Sequence, residues 1–529
     1  MTTIYRDYVR AILLILLVSL ICVHTARAQK PRLWNGLEPG PYSAGFKVLW
    51  KYDYSRTWTP SADYKGNPVP GEPARPIRIS VWYPAQRKAR ASSMTYSGYL
   101  HVNVLDPSLV NFNKRIEDYD FKSVRGYFQS QALFDTLLKT PTASFLDAQP
   151  LQGPFPLVVF SLGQNDHTLE NIVLWEFLAS HGYVVATIPH VGTSPRRFQL
   201  LVHDPLFYEA QVRDLEFVIQ QMHELPYVKA DKLALMGHSF GGIYSLLTAM
   251  RNSNVKAVVG LDPTYVSKQP SFHYKFWEAP YYDPAHLKAP LLVLYKGIEP
   301  ENLKLDIVND LKFSDRYMFE FPHLVHGDFN SAPMITSLAP GDDYADREYA
   351  LKFRTKEAGI AGHQIVCRYV LNFLDAFLKG NAGAMRFISG KPEEQKIPTG
   401  VTVRDFKARL KAPTEEEFFV IIQEQGIQAA IRAYREAKAS YPQETIIREP
   451  ILRRIGNEAG YYGNPAQAVD IFKLYVEAFP QSAAGYDSLA GAYQDVGNKE
   501  LAIKNYEKSL ELNPQNTNAS EQLKRLRQK

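Results

Sequence analysis

The residues with the clearest chemical meaning are Gly237-His238-Ser239-Phe240-Gly241-Gly242, which follow the apolar run Leu233–Met236. A serine on a sharp strand-to-helix turn is lifted clear of its sheet, and glycines on either side leave room for the backbone that crowds such an elbow. Its hydroxyl is a poor nucleophile until a histidine accepts the proton, and that histidine needs a carboxylate to hold its tautomer and its charged form. On such elbows the partners follow in the chain order serine, acid, histidine. Two carboxylates fit, Asp262 at the end of the strand-like run Val255–Leu261 and Glu299 after the run Leu291–Leu294. Two histidines fit, His326 and His323, both beyond Arg316–Phe321. An oxyanion needs two N–H donors. Phe240, directly after the serine, supplies one, and Gln164 in Ser161-Leu162-Gly163-Gln164-Asn165 supplies the other. Chemistry of this kind requires no metal and no organic cofactor. His167, His190, His203 and His223 show no metal-ligand spacing and read as structural.

The elements that would carry these residues alternate between strand and helix from about residue 44 to residue 377, the pattern of a mostly parallel sheet covered on both faces. Phe46–Tyr52 and Arg78–Tyr83 read as opening strands. Leu157–Ser161, Val184–Ile188, Leu233–Met236, Ala257–Leu261 and Leu291–Leu294 are short continuous apolar runs, as strands buried on both faces should be. Leu169–Ser180, Leu206–Met222 and Ile243–Arg251 carry helical periodicity. The stretch 91–151 reads as an insertion with a helix near Val124–Leu138 and no assignable role.

At 529 residues, with 45% hydrophobic and 22% charged residues, the chain has an ordinary globular composition and the length of two domains. Arg6 and Arg10 precede an apolar run from Ala11 to Val23, and Ala26-Arg27-Ala28 offers small residues where a signal peptidase reads them. The expectation is a signal peptide over 1–28, cleaved before Gln29, and a secreted or periplasmic protein with no integral membrane segment left. The run is short for a bilayer span of about 20 residues, and no small residue precedes Cys22 as a lipid-attachment site would require. Cleavage lowers the formal charge from +5 to +3, too little to argue for nucleic acid. It also leaves Cys367 as the lone cysteine, a buried small hydrophobe rather than a nucleophile.

Residues 388–414, with Pro392, Pro398, Gly400 and Pro413, read as a linker between a catalytic domain over 29–387 and a helical region over 415–529. In that region Ile455, Ala459, Ala468, Phe472 and Pro480 recur 34 positions later as Leu489, Tyr493, Ala502, Tyr506 and Pro514. The period and residue types resemble the tetratricopeptide repeat, in which small alanines let paired helices approach closely. An earlier copy, with Ala430, Tyr434 and Pro442, is offset by 38, and Leu523 and Leu526 lie in a charged terminal helix suited to capping the stack. Such an array either braces the first domain or binds a protein or peptide partner.

The catalytic region also resembles a known family, the plasma-type (secreted) platelet-activating-factor acetylhydrolases and their bacterial relatives. The resemblance runs over about residues 35–380. It lies in Pro76-Ile77-Arg78-Ile79-Ser80-Val81-Trp82-Tyr83-Pro84-Ala85, in Phe155–Ser161, in Leu178-Ala179-Ser180-His181-Gly182-Tyr183-Val184-Val185-Ala186, in the Gly237–Gly242 elbow, in Leu261-Asp262, and in Val325-His326 with Phe329. It implies an α/β-hydrolase fold, and hydrolysis of short-acyl or phospholipid-type acetyl esters through an acyl-enzyme on Ser239. The family's acid lies 23 residues after the serine and its base in a Val-His pair, which favours Asp262 over Glu299 and His326 over His323. Relatives often read Ser-His-Gly where this chain has Ser161-Leu162-Gly163, and the long stretch 327–359 is a second departure. The aromatic residues between Asp262 and the next strand, among them Tyr265, Phe272, His273, Tyr274, Phe276, Trp277, Tyr281 and Tyr282, suit a lid over an acyl or alkyl chain. A polyester or cutinase-like hydrolase, a secreted serine peptidase, and a scaffold protein with an inert hydrolase core are the competing functions.

Overall fold

The structure is a computed structural model. It describes residues 31–69, 72–86, 92–195, 205–268, 276–279, 282–338, 355–397, 400–408, 414–443, 445–462 and 464–528. The signal segment 1–28, His203, Phe272, His273, Tyr274 and Tyr281 lie outside the described residues. Chain contacts separate two compact units, Met1–Ala408 and Arg409–Lys529.

The first unit is built on a ten-stranded sheet. Its strands are β1 (Ser43–Thr57), β2 (Ala74–Ala85), β3 (Ser144–Leu146), β4 (Phe155–Ser161), β5 (Val184–Thr187), β6 (Val228–His238), β7 (Val255–Leu261), β8 (Leu291–Lys296), β9 (Arg316–Phe321) and β10 (Thr402–Phe406). They run in the order β10-β9-β8-β7-β6-β4-β5-β2-β1-β3. Strands β4 to β9 are mutually parallel, while β1 and β2 pair antiparallel and β2 meets β5 antiparallel.

Because successive side chains on a strand point to opposite faces, the apolar runs split into two cores. Val158, Phe160, Ala234, Met236, Val259 and Leu294 face one side, together with Trp175 of helix Ile172–Ser180 and Val370 and Phe373 of helix Lys356–Lys379. Leu157, Val159, Leu233, Leu235, Val258 and Val293 face the other, against Val212 and Leu215 of helix Pro205–His223 and Ile243 and Leu247 of helix Gly241–Arg251. Cys367 is fully buried in the first of these cores.

Two expectations are corrected here. The stretch read as a linker, 388–414, contains β10, which pairs antiparallel with β9 from Thr402↔Glu320 to Phe406↔Arg316. Without β10, β9 would be an edge strand presenting unpaired backbone groups, and the extended segment satisfies them. Arg404 adds an ion pair with Glu320, and the Ala408 N–H donates to Asp315. The prolines and glycine around β10 dominated the local composition and hid five residues of regular strand. The helix expected near Val124–Leu138 is instead two, Val110–Arg125 and Gln131–Lys139, separated at Gly126 and restarted by Ser130, whose hydroxyl accepts from the Leu133 N–H.

The second unit is wholly helical among its described residues: Glu415–Gln425, Ile427–Ser440, Glu449–Tyr461, Pro465–Ala478, Ala483–Asp495, Lys499–Leu512 and Thr517–Gln528. Helices starting at Glu449 and Ala483, and at Pro465 and Lys499, lie one 34-residue period apart. Asn464 and Asn498 occupy equivalent N-caps, each accepting from a backbone N–H of the first turn. Ala430, Ala468 and Ala502 are buried where helices meet, and a Cβ on Gly456 would stand 2.3 Å from the Phe472 ring. Small residues are therefore what allow these helices to pack at short range.

Candidate active site

Ser239 sits between the end of β6 and the start of helix Gly241–Arg251, with φ +52°. Left-handed backbone at a residue other than glycine costs on the order of 1 to 3 kcal/mol and persists only where surrounding structure enforces it. Here the Ser239 N–H donates to the Leu261 carbonyl at 3.0 Å, and its own carbonyl accepts from Gly242 at 3.2 Å and Thr264 at 3.3 Å. A Cβ on Gly237 would lie 2.1 Å from the Gly241 backbone, and one on Gly241 would lie 2.0 Å from the Ser161 carbonyl. Glycine at both positions is a steric requirement of the bend.

Asp262 directly follows β7 with φ +40°, its N–H donating to the Leu294 carbonyl at 2.7 Å. One carboxylate oxygen accepts from the Lys296 N–H at 3.1 Å, and the other lies 2.5 Å from His326 Nδ1. Burial pushes this carboxyl upward, but the His326 and Lys296 contacts outweigh it and hold it below the usual range. His326 opens a short 3-10 turn, His326–Phe329, after β9. That turn is tied to the start of helix Ile172–Ser180. Asn171 donates to the Phe329 carbonyl, Asn330 donates to Glu170 at 2.5 Å, and the Ser331 N–H donates to the Glu170 carbonyl. With Nδ1 directed at a carboxylate, Nε2 is the His326 nitrogen suited to exchanging a proton with a hydroxyl.

The alternates stand elsewhere. Glu299 is exposed in the loop after β8. His323 is exposed too, and a Cβ on Gly400 would lie 3.9 Å from its Nε2.

The loop after β4 carries Gln164, which is exposed, and Asn165 at φ +62°. It abuts the serine, since a Cβ on Gly163 would be 3.0 Å from Ser239 Cβ. Phe240, the other expected donor, directly follows Ser239 and is 9% exposed. The stretch 91–151 now has a role. From helix Val110–Arg125, Tyr119 Oη donates to the Asn165 carbonyl and Asp120 accepts from the Thr168 N–H, bracing this loop from outside.

Two groups near the elbow, Asp166 and His238 as its partner, escaped the sequence reading, and His190, expected to be structural, lies against Tyr244 of the helix that follows the elbow. His238 is 1% exposed and stacks on His326, with ring centroids 4.5 Å apart and planes 29° from parallel. Its Nδ1 lies 2.9 Å from Asp166 Oδ2, and the Gly163 N–H donates to the same oxygen at 2.6 Å. Burial alone would lower the His238 imidazole, yet Asp166 raises it to about 8. His190 lies edge-on to Tyr244 at 5.5 Å and is lowered by burial to about 4, so it is neutral. Its loop is anchored by Arg75, which pairs with Asp214 at 2.6 Å and donates to the Val191 and Gly192 carbonyls. The placement of His238 inside the motif was the one available signal. Asp166 and His190 lie in loops whose paths no periodicity specifies.

Beyond Asp262, a cavity of about 520 Å³ is lined by Ile243, Thr264, Tyr265, Phe276, Trp277 and Tyr282, with Lys268, Lys304, Asp306 and Asp310 also on its wall.

Residues 173–283, which include the elbow and Asp262, match the prolyl oligopeptidase family. No curated protein matches the chain. Among solved structures it is similar to a ferulic acid esterase from Streptomyces cinnamoneus, at 20% identity and a TM-score of 0.46, over 68% of this chain and 96% of that one. With a mostly parallel sheet covered on both faces and a serine elbow at the end of β6, the first unit has an α/β-hydrolase fold.

Proposed function

We propose that the protein is a serine hydrolase that cleaves carboxylic esters by acyl transfer. Ser239 attacks the ester carbonyl while His326 takes its proton, and Asp262 holds the imidazole and its charged form. The N–H groups of Gln164 and Phe240 receive the oxyanion. His326 then protonates the departing alcohol. Water, deprotonated by the same imidazole, releases the acid and restores the serine. The supporting observation is the 2.5 Å His326–Asp262 contact beside a glycine-flanked serine held at φ +52°.

The substrate class rests on the family resemblance: short-acyl or phospholipid-type acetyl esters, with the aromatic cavity suited to an alkyl chain. Export through the 1–28 signal, and a tetratricopeptide-like array over 415–529 that takes a protein or peptide partner, complete the reading. A fluorophosphonate probe should label wild type and leave Ser239→Ala unlabelled, and p-nitrophenyl acetate should be turned over only by the former. The match to the prolyl oligopeptidase family favours a second reading, a peptidase with the same triad. Turnover of aminoacyl amides without turnover of esters would establish that reading and end the first.

A further inference from the structure

Two histidine–aspartate pairs lie face to face in this site, and the mechanism above uses one. The second pair joins segments that are separate in the chain. Asp166 belongs to the loop after β4, and His238 is the last residue of β6. A single oxygen, Asp166 Oδ2, meets both the Gly163 N–H at 2.6 Å and His238 Nδ1 at 2.9 Å. Gly163 directly precedes Gln164, His238 directly precedes Ser239, and the His238 ring stacks on His326. One carboxylate therefore connects three parts of an acyl-transfer site: the loop of one oxyanion donor, the nucleophile and the base.

We infer that Asp166 and His238 are positioning residues, a buried bridge that holds the oxyanion loop, the Ser239 elbow and the His326 ring in one register. The inference rests on the serine-hydrolase reading. Burying a carboxylate and an imidazole, at 10% and 1% side-chain exposure, would be a net cost unless they were paired as they are here. Among the described residues, the charged and titratable groups that act most on His238 are Asp166 and Glu170 from the loop after β4, Asp262 after β7 and His326 after β9. Three of the four are carboxyls. Glu170, pushed up to about 8 by burial and by Asp166, is mostly neutral at pH 7. The bridge is thus held by Asp166, with Asp262 serving His326. Displacing a reacting group by about 1 Å costs roughly a hundredfold in rate, and losing an oxyanion donor costs about 100- to 1,000-fold. A bridge that sets these distances should act on kcat rather than on substrate affinity.

The test is a double-mutant cycle on the full chain with p-nitrophenyl acetate, using Asp166→Ala, His238→Phe and the pair, with Ser239→Ala as control. Phenylalanine keeps a flat ring for His326 to stack on and removes the nitrogen that meets Asp166. Each single variant should lose about 10- to 100-fold in kcat with KM within about threefold, and the double variant should lose no more than the worse single one. Asp166→Asn, which keeps the volume and an acceptor for the Gly163 N–H, should recover part of the loss, and it stands in should the alanine variant fail to fold. Wild-type kcat in folded variants with a lowered melting temperature would overturn the inference, as would losses that multiply in the double variant. Turnover persisting in Ser239→Ala would instead overturn the hydrolase reading itself.

Discussion

In the proposed acyl-transfer site a carboxylate acts only if it reaches the imidazole, and at the scale of single residues Asp262 reaches His326 while Glu299 faces solvent. Asp262→Asn should therefore lower kcat about 10⁴-fold, the loss expected when the tautomer of the base is no longer set. It should leave the melting temperature near that of wild type, since an amide oxygen can still accept from Lys296. Glu299→Gln and His323→Gln should keep wild-type kcat. His238 predicts a pH dependence of stability. Its folded value, raised to about 8 from 6.5, means that pairing with Asp166 stabilises the fold fully below about pH 6.5 and is lost as pH rises through about 8. The difference in melting temperature between wild type and His238→Phe should accordingly shrink between pH 6 and pH 9, and a constant difference would refute the charged pair.

At the scale of elements, the elbow depends on how closely a strand, a helix and a neighbouring strand end can approach. Gly241→Ala would put a methyl group 2.0 Å from the Ser161 carbonyl. The backbone must then shift, a form of overpacking that costs typically 1 to 3 kcal/mol. Urea unfolding should show that loss, and fluorophosphonate labelling should slow as the serine is displaced. Glu170 makes a second prediction, on the tie between the loop after β4 and the His326 turn. Its carboxyl accepts from Tyr127 and Asn330 and is raised to about 8 from 4.5. Stability should consequently fall as pH rises across that window, because the unfolded chain gives up this proton first. Glu170→Gln should flatten the fall in melting temperature. These ties explain why the His326 turn holds its place although the stretch after it is long.

At the scale of the molecule, the boundary between the units lies after β10 rather than before it. A chain ending at Ala408 should hydrolyse p-nitrophenyl acetate as the full chain does. One ending at Ile397 lacks β10, exposes the edge of β9, and should aggregate or melt earlier, as light scattering and calorimetry would record. The 34-residue spacing of the helices in the second unit follows from buried alanines at fixed intervals, a local feature that survives without any knowledge of the first unit.

The fold was readable along the chain wherever its cause was local. Apolar runs such as Leu157–Ser161 and Leu233–Met236 must be buried on both faces, a glycine-flanked serine at the end of one of them must be an elbow, and repeating alanines must sit between helices. Strand β10 was not readable, because its partner residues lie 82 to 90 positions earlier and its own alternation is brief. Nor was the choice of carboxylate open to the residues alone: Asp262 and Glu299 both follow strands, and proximity to an imidazole depends on how separate loops converge. The Asp166–His238 bridge is the extreme case. It joins positions 72 apart through one oxygen atom, and nothing in a linear pattern encodes a distance of 2.9 Å between them.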